Sequence, residues 1–346
     1  MSTTMKAVHV TAHGGPEVLK VVDVPVPEPG EGEVLVKMIA ISVNHLDLWV
    51  RRGMPGVKLP LPMIPGCDGI GEIVKLGAGV THLRTGTRVL VEPGHSSGAS
   101  VHDLAGNDHL SDDYQLRGEH FDGLAAEYVA VQARFALPIP PTLDPVRAAA
   151  VPLVFLTAWG MLVTRAAVVA GETVLVLAGT SGVGSASIQV ARDRGARVFA
   201  TAGTEAKREL ARKLGALEVV DHSQPDWPSK ARKLTGGRGF DVVVEHVGPA
   251  TWEGSLRVLA RNGRLVTCGG TTGPMVQVAL PHLFIKNQSI LGSTMGPRSA
   301  LPTLVDHVAR GVYVPVVDRV MPFTAVSQAH ELLESRAVLG KIVLTF

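Results

Sequence analysis

A glycine-rich turn between an apolar run and an amphipathic segment is the part of the chain best suited to chemistry. Residues 174–177 are Val-Leu-Val-Leu, and Ala178-Gly179-Thr180-Ser181-Gly182-Val183-Gly184 follows directly. Glycine lets the backbone turn sharply and approach a pyrophosphate, while the free amides at the start of a helix attract phosphate charge. The pattern predicts a dinucleotide site that includes Gly179, Ser181, Gly182, Val183 and Gly184.

The end of the next predicted strand bears on the choice of dinucleotide. Sites that prefer NAD place an acid there to bind the adenosine ribose, and sites that prefer NADP replace it with cations. Ala202 and Gly203 stand at this place, and neither is acidic. The candidates for contacts with the ribose or its 2′-phosphate are Gly203, Thr204, Lys207 and His222. NADP(H) is therefore favoured, with NAD(H) left open because Glu205 is acidic and Lys207 could simply be solvated.

Strands and helices alternate around the glycine turn. Apolar runs predict strands at 173–177, 197–201, 241–245 and 264–267, and amphipathic runs predict helices at 183–194, 205–214 and 251–260. This alternation is typical of an α/β fold with a doubly wound parallel sheet. Earlier in the chain, short β-branched runs such as 33–38 and 88–91 predict a mostly β unit.

The order of these elements predicts a nucleotide domain inserted into a β-rich domain. We expect the β-rich domain to span residues 1–152 and the nucleotide domain to span residues 153–297. Residues 298–346 are expected to return to the first domain through a helix at 301–310 and a final strand within 340–346.

Composition limits the range of partners. The chain has 346 residues, and its 33 Lys and Arg against 31 Asp and Glu leave a formal net charge of +2. That balance gives no basic field for nucleic acid or membrane lipid, so a small molecule is the expected partner. The N-terminal sequence lacks the pattern of a signal peptide, and two cysteines are too few for a disulfide framework. A cytoplasmic location is expected.

Several segments together resemble the medium-chain dehydrogenase/reductase superfamily, and its quinone oxidoreductase-like members in particular. The segments are Gly14-Gly15-Pro16-Glu17-Val18-Leu19, Val43-Asn44-His45-Leu46-Asp47, Pro65-Gly66-Cys67-Asp68-Gly69-Ile70-Gly71, Gly86-Thr87-Arg88-Val89, Leu156-Thr157-Ala158-Trp159 and the glycine turn. The resemblance implies a GroES-like β-rich catalytic domain and a Rossmann domain. It implies further cofactor contacts from Thr157, Val247, Gly269, Gly270 and Lys341. It also implies a homodimer or homotetramer joined through an edge strand at 288–295.

The chain departs from zinc-containing relatives at both of their metal sites. Asn44, Cys67 and Leu153 stand where the catalytic zinc has ligands, and neither an asparagine nor a leucine replaces a thiolate. The four positions of the structural zinc site are occupied by Ser97, Ser100, Asp103 and Ser111. We expect no bound metal, although His95, His102 and His109 in the same loop leave a different metal site open.

Without zinc, the negative charge that hydride transfer leaves on oxygen needs other stabilisation. A quinone or an α,β-unsaturated carbonyl spreads that charge over its own π-system, so reduction of such acceptors by NADPH is the expected reaction. The candidate catalytic residues are Asn44 to orient the acceptor, His45 to donate a proton or bind cofactor, and Asp47, which more readily caps local backbone. Two alternatives stay open: an alcohol dehydrogenase or aldehyde reductase, and a sensor or structural protein that binds NADPH without turnover.

Overall fold

The computed structural model describes residues 3–54 and 59–346. The chain divides into two units, one made of Met1–Leu153 with Arg298–Phe346 and the other of Val154–Pro297.

The first unit contains most of the β structure. Its elements up to residue 149 are β1 (Thr4–Val10), β2 (Leu19–Pro25), β3 (Glu33–Val43), α1 (His45–Arg52), β4 (Asp68–Leu76), β5 (Arg88–Val91), β6 (Gly94–His95), α2 (Val101–Leu104), β7 (Gln115–Leu116), β8 (Tyr128–Gln132), β9 (Ala136–Pro138) and α3 (Pro145–Ala149). The long strand β3 pairs with both β4 and β8, so it organises the sheet that carries the polar residues described below.

The second unit has the alternating order expected from the sequence. Its elements are α4 (Pro152–Trp159), β10 (Thr173–Val176), α5 (Gly182–Asp193), β11 (Arg197–Thr201), α6 (Glu205–Leu214), β12 (Val219–Val220), α7 (Trp227–Lys233), β13 (Phe240–Glu245), α8 (Pro249–Arg257), β14 (Leu259–Thr267), α9 (Leu280–Lys286) and β15 (Ser289–Gly292). The sheet runs β12-β11-β10-β13-β14-β15 with every pair parallel. The predicted doubly wound α/β fold is confirmed.

The chain then returns to the first unit through α10 (Leu301–Ala309), β16 (Val317–Pro322), α11 (Val326–Glu334) and β17 (Lys341–Thr345). Strand β17 pairs antiparallel with β3, and the sheet has the order β16-β17-β3-β4-β5-β9. The pairing brings the start of β17 beside the end of β3, with Ile342 opposite Val43.

Three predicted elements have the bounds seen in the structure, others differ by one or more residues, and the junction of α8 with β14 was predicted wrongly. Residues 88–91, 197–201 and 205–214 have the predicted bounds. The helix expected at 251–260 ends at Arg257, and Ala260 belongs to β14. Apolar residues continue through this junction, so periodicity alone could not separate the end of the helix from the buried strand. None of the helices in the described ranges has the length and apolarity needed to cross a membrane.

Candidate active site

The glycine turn connects β10 to α5 and needs glycine at two places. A Cβ on Gly184 would lie 2.3 Å from the Ala178 carbonyl oxygen, and one on Gly179 would lie 2.8 Å from the Ala200 Cβ. The Ser181 side chain accepts a hydrogen bond from the Gly184 amide at 3.0 Å and so caps α5. The amides of Gly182 and Val183 begin the helix at the carboxyl edge of the parallel sheet, where this class of fold binds ligands.

Four residues predicted to contact the adenosine ribose lie together beyond β11 and β12. Thr204 is the N-cap of α6, and its hydroxyl accepts the Lys207 amide at 3.3 Å. The His222 ring binds the Thr201 hydroxyl through Nδ1 at 2.8 Å. Its Nε2 lies 3.8 Å from the point where a Cβ on Gly203 would stand, so the glycine leaves open space facing an imidazole. Burial lowers the pKa of His222.

The other predicted cofactor residues of this unit lie at the ends of strands or on the entering helix. Val247 follows β13, and its carbonyl accepts hydrogen bonds from the Thr272 amide and hydroxyl. Gly269 and Gly270 follow β14, and a Cβ on Gly270 would meet the Gly273 carbonyl at 2.4 Å. Thr157 on α4 is buried, and its hydroxyl contacts the Met295 sulfur at 3.7 Å.

A buried carboxylate that the sequence reading did not identify supports the loop that begins at Val247. Glu245 is fully buried at the end of β13. It accepts hydrogen bonds from the amides of Val247 and Gly248 and from the hydroxyls of Thr251 and Ser255, at 2.6–3.1 Å. Charge-assisted bonds of this kind fix the loop and the start of α8. An acid at the end of a buried strand is the signal that could have predicted it.

A second polar cluster lies in the first unit, where β3 leads into α1. The side-chain nitrogen of Asn44 donates to Asp68 Oδ2 at 2.9 Å and lies 3.5 Å from the Cys67 sulfur. Its side-chain oxygen accepts a hydrogen bond from Lys341. Because both ends of the Asn44 amide are engaged within the protein, its role in the structure is to join β3, β4 and β17.

Lys341 and Asp68 form an ion pair inside this cluster. The Lys341 side chain is 4% exposed and the Asp68 side chain is 0% exposed, with 3.3 Å between Nζ and Oδ2. The Asp68 carboxylate also accepts from the Ser42 hydroxyl at 3.1 Å and the Leu153 amide at 2.8 Å. A buried ion pair persists only where further hydrogen bonds satisfy both charges. Lys341, predicted to contact cofactor, thus belongs to the cluster around Asn44.

Asp47 caps the helix that carries the predicted catalytic residues. Its two carboxylate oxygens accept the amides of Asn44 at 2.7 Å and Gly66 at 3.1 Å, which ties the start of α1 to the segment before β4. Burial raises the pKa of Asp47 to about 6. His45, the first residue of α1, is half-buried. The structure thus brings Asn44, His45 and Asp47 to one end of α1.

The residues at this place do not fit a zinc ion. Asparagine stands at position 44 and leucine at position 153, and neither side chain replaces a thiolate ligand, so Cys67 alone remains of a cysteine and histidine ligand set. The Lys341 ammonium already lies against the Asn44 and Asp68 oxygens, and a second cation there would be repelled. In the ranges that the structure describes, no group of three or more His, Cys, Asp and Glu side chains is arranged to bind a metal.

The loop between β5 and β8 contains the four positions where zinc-containing relatives bind their structural zinc. Three of these positions, Ser100, Asp103 and Ser111, meet at the Asp103 carboxylate. Asp103 accepts hydrogen bonds from the hydroxyls of Ser96, Ser100 and Ser111. The fourth position, Ser97, reaches a neighbouring carboxylate, since its amide and the Ser111 hydroxyl both donate to Asp113. We name residues 92–121 the lobe. Hydroxyls and carboxylates hold it together.

Comparison with known proteins agrees with the two-unit architecture described above. Residues 30–141 match the family "Alcohol dehydrogenase GroES-like domain", and residues 182–310 match "Zinc-binding dehydrogenase". The chain is 33% identical to a quinone oxidoreductase of Lama guanicoe, with 98% of this chain and 97% of that one covered. It is 30% identical to quinone oxidoreductase 1 of Escherichia coli, with 96% and 97% covered.

A solved structure described as an NAD-dependent alcohol dehydrogenase is 46% identical over 99% of this chain and 100% of that one, with a TM-score of 0.95. The two-unit architecture, the glycine turn and these matches define an oxidoreductase built from a GroES-like and a Rossmann domain. The chain belongs to the zinc-type alcohol dehydrogenase superfamily of medium-chain dehydrogenases and reductases. Within that superfamily it is a quinone oxidoreductase-like member without the zinc ligands.

Proposed function

We propose that the chain reduces a quinone or an α,β-unsaturated carbonyl with NADPH and without zinc. The observation that carries the proposal is the buried cluster of Asn44, Cys67 and Asp68, whose acceptor oxygens bind the Lys341 ammonium where zinc-containing relatives hold their metal. A simple alcohol gains little from such a site, because no metal lowers the proton affinity of its hydroxyl. A conjugated acceptor delocalises the developing charge itself.

The residues around the glycine turn fit a dinucleotide. The α5 amides of Gly182 and Val183 would bind the pyrophosphate, and the bound nicotinamide supplies the hydride. His45 is our candidate to deliver the accompanying proton. Asn44 and Asp47 hold α1 in place through the bonds described above. Loss of His45 should therefore lower kcat and change its pH dependence, while loss of Asp47 should lower thermal stability as well.

The preference for NADPH over NADH is part of this proposal. Gly203 leaves room where an acid would otherwise lie, and Lys207 and His222 flank that room. Asp221, the acid nearest to His222 in sequence, is engaged with Arg208 at 3.2 Å. Titration of the protein with both reduced cofactors tests the preference. Tighter binding of NADH would refute it.

Alcohol dehydrogenase activity is the second candidate, because the 46% identical solved structure is described as an NAD-dependent alcohol dehydrogenase. One panel of quinones, enones, aldehydes and secondary alcohols, each assayed with both cofactors, separates the candidates. Fast turnover of enones or quinones with NADPH supports our proposal. Fast oxidation of secondary alcohols with NAD⁺ supports the second candidate, and no turnover with any substrate would leave a sensor or structural role.

We further propose a homodimer, or a dimer of dimers, in the cytoplasm. Strand β15 is the last strand in its sheet, and no strand of the described residues pairs with its outer edge, which could pair with a second copy. The neighbouring helix α9 exposes Leu280, Phe284 and Ile285 at 57–67%. The two cysteines are free thiols, which suits a reducing compartment. Gel filtration at micromolar concentration should give at least twice the 36.4 kDa chain mass.

A further inference from the structure

The first unit contains a cavity that the proposed reaction does not use. It has a volume of about 660 Å³ and lies among β1, β2, β8 and the lobe. Its wall includes Arg117 and His95, which both lie against the Phe121 ring, and apolar residues such as Ile64 and Val129. We propose that this cavity binds a small aromatic monocarboxylate, with the carboxylate on Arg117 and a neighbouring hydroxyl on His95.

The Arg117 guanidinium is the main reason to expect an anion. Arg117 is 5% exposed, and its Nε is buried without a hydrogen-bond partner. One of its terminal nitrogens donates to the Asp122 carbonyl at 3.1 Å, but the described residues give the guanidinium no ion pair. Burial lowers the pKa of Arg117 to about 10, so it is still charged at neutral pH. The carboxylates of Asp122 and Glu33 act on this cation through space, but neither makes a hydrogen bond to it among the described residues. A ligand carboxylate in direct contact with the unpaired Nε would add the charge-assisted hydrogen bond that these acids do not make.

His95 supplies a second unsatisfied nitrogen on the same wall. Its Nε2 is buried without a partner, and its ring stacks on Phe135 at 4.0 Å and lies 4.8 Å from Phe121. Burial lowers the pKa of His95 to about 3, so the ring is neutral at pH 7. The Glu92 carbonyl is its hydrogen-bonding neighbour, which leaves Nε2 as an acceptor for a ligand hydroxyl. The aromatic surroundings favour a flat ring between the two polar contacts.

Two acids on the wall limit the ligand to a single negative charge. Glu33 and Asp122 line the cavity, and each already accepts a backbone amide, from Gly30 at 2.9 Å and from Ile64 at 2.8 Å. Their charges would repel a second carboxylate that lies away from Arg117. The cavity should therefore prefer salicylate to benzoate, benzoate to the neutral benzamide, and any monoanion to phthalate.

Calorimetric titration of the full-length protein with these four probes tests the proposal. It is run with and without saturating NADPH, so that binding in the reaction site is recognised as competition with cofactor. We expect saturable salicylate binding in both conditions. Arg117→Met should weaken it at least about tenfold, since a charge-assisted hydrogen bond is lost. The matched control is Arg134→Met, because Arg134 stacks on Phe135 beside the lobe but is exposed and does not line the cavity.

A second variant keeps the test decisive if Arg117→Met does not fold. His95→Phe retains the stacking on Phe135 and removes the acceptor, so it should reduce salicylate affinity to that of benzoate. The proposal is overturned if salicylate does not saturate at millimolar concentration, or if benzamide binds as well as benzoate. It is also overturned if Arg134→Met weakens binding as much as the cavity variants do. Because no outcome depends on turnover, the result is independent of the proposed reductase activity.

Discussion

Two places in the first unit correspond to the metal sites expected in zinc-containing relatives, and they are filled in different ways. At the end of β3, a buried ammonium, that of Lys341, contacts Asn44 and Asp68. In the lobe, the half-buried carboxylate of Asp103 is bound by serine hydroxyls. The hydroxyls of Ser96 and Ser100 hold the pKa of Asp103 at about 2.

The difference shows how burial determines what can replace a metal ion. A carboxylate with no exposure, such as Asp68, needs a counter-charge, because burying an unpaired charge is costly. A carboxylate that still reaches solvent, such as Asp103, needs only hydrogen bonds. We infer that the buried cluster requires a cation, which Lys341 supplies, and that the lobe is stable around Asp103 without one. The following predictions test this contrast, from the largest expected effect to the smallest.

The largest effect is expected from restoring zinc ligands in the lobe. The Ser97 backbone amide and the hydroxyls of Ser100 and Ser111 already converge on the carboxylates of Asp103 and Asp113. Cysteines at the four positions should therefore form a closed site of four thiolates. Structural sites of this type bind zinc with a free energy of about 10 kcal/mol or more. Elemental analysis should find one zinc per chain in the variant with cysteine at positions 97, 100, 103 and 111.

The matching change in the buried cluster should fail. Asn44→Cys with Cys67→His and Leu153→Cys supplies three zinc ligands but leaves the Lys341 ammonium beside them. Elemental analysis should find zinc only when Lys341→Met is added. Zinc in the triple variant with Lys341 intact would show that the ammonium does not exclude a metal, and the contrast between the two places would be lost.

The next largest effect, a loss of stability, is expected when the buried cation is removed. Lys341→Met leaves Asp68 charged, buried and without a counter-ion, so the free energy of unfolding should fall by about 3–5 kcal/mol. The change is measured by urea denaturation. Adding Asp68→Asn to the same variant should recover most of the loss, because the unpaired charge is gone.

An exposed ion pair provides the control for this prediction. Lys213 pairs with Glu209 one turn away on α6, at 2.8 Å, and both side chains are exposed. Lys213→Met should cost less than about 1 kcal/mol. Equal losses from Lys341→Met and Lys213→Met would mean that burial does not separate the two kinds of site.

The contrast also shows which features the sequence could predict. The glycine turn and the strand at 197–201 follow from local pattern, because a buried strand, a tight turn and a helix start each need particular residues. The pair of Lys341 with Asp68 could not be predicted in this way. The two residues are far apart in the chain, and they meet only because β3 pairs with β17 on one side and with β4, which begins at Asp68, on the other. The role of Asn44 changes for the same reason, since its partners come from three strands.

A smaller, pH-dependent effect on stability is expected from Glu92, a buried acid at the edge of the lobe. Glu92 is 5% exposed, and burial raises its pKa to about 7 although Arg298 lies 3.3 Å away. Because the folded-state pKa is raised, deprotonation costs stability as pH rises from about 4.5 to about 7. Glu92→Gln should therefore match the wild type near pH 4 and exceed it by about 1–3 kcal/mol at pH 8. Thermal melts across this range measure the difference, and parallel curves would contradict it.

The smallest effect is expected at the centre of the lobe. Asp103→Asn keeps an acceptor for the Ser96 and Ser100 hydroxyls, so the melting temperature at pH 7 should fall by only about 1–3 °C. Because the folded-state pKa of Asp103 is lowered, its contribution is present above about pH 4 and is lost as pH falls toward 2. The gap between variant and wild type should narrow on acidification. A loss of stability at pH 7 as large as that from Lys341→Met would contradict the contrast, because the partly exposed Asp103 carboxylate would then depend on its charge as much as the buried pair does.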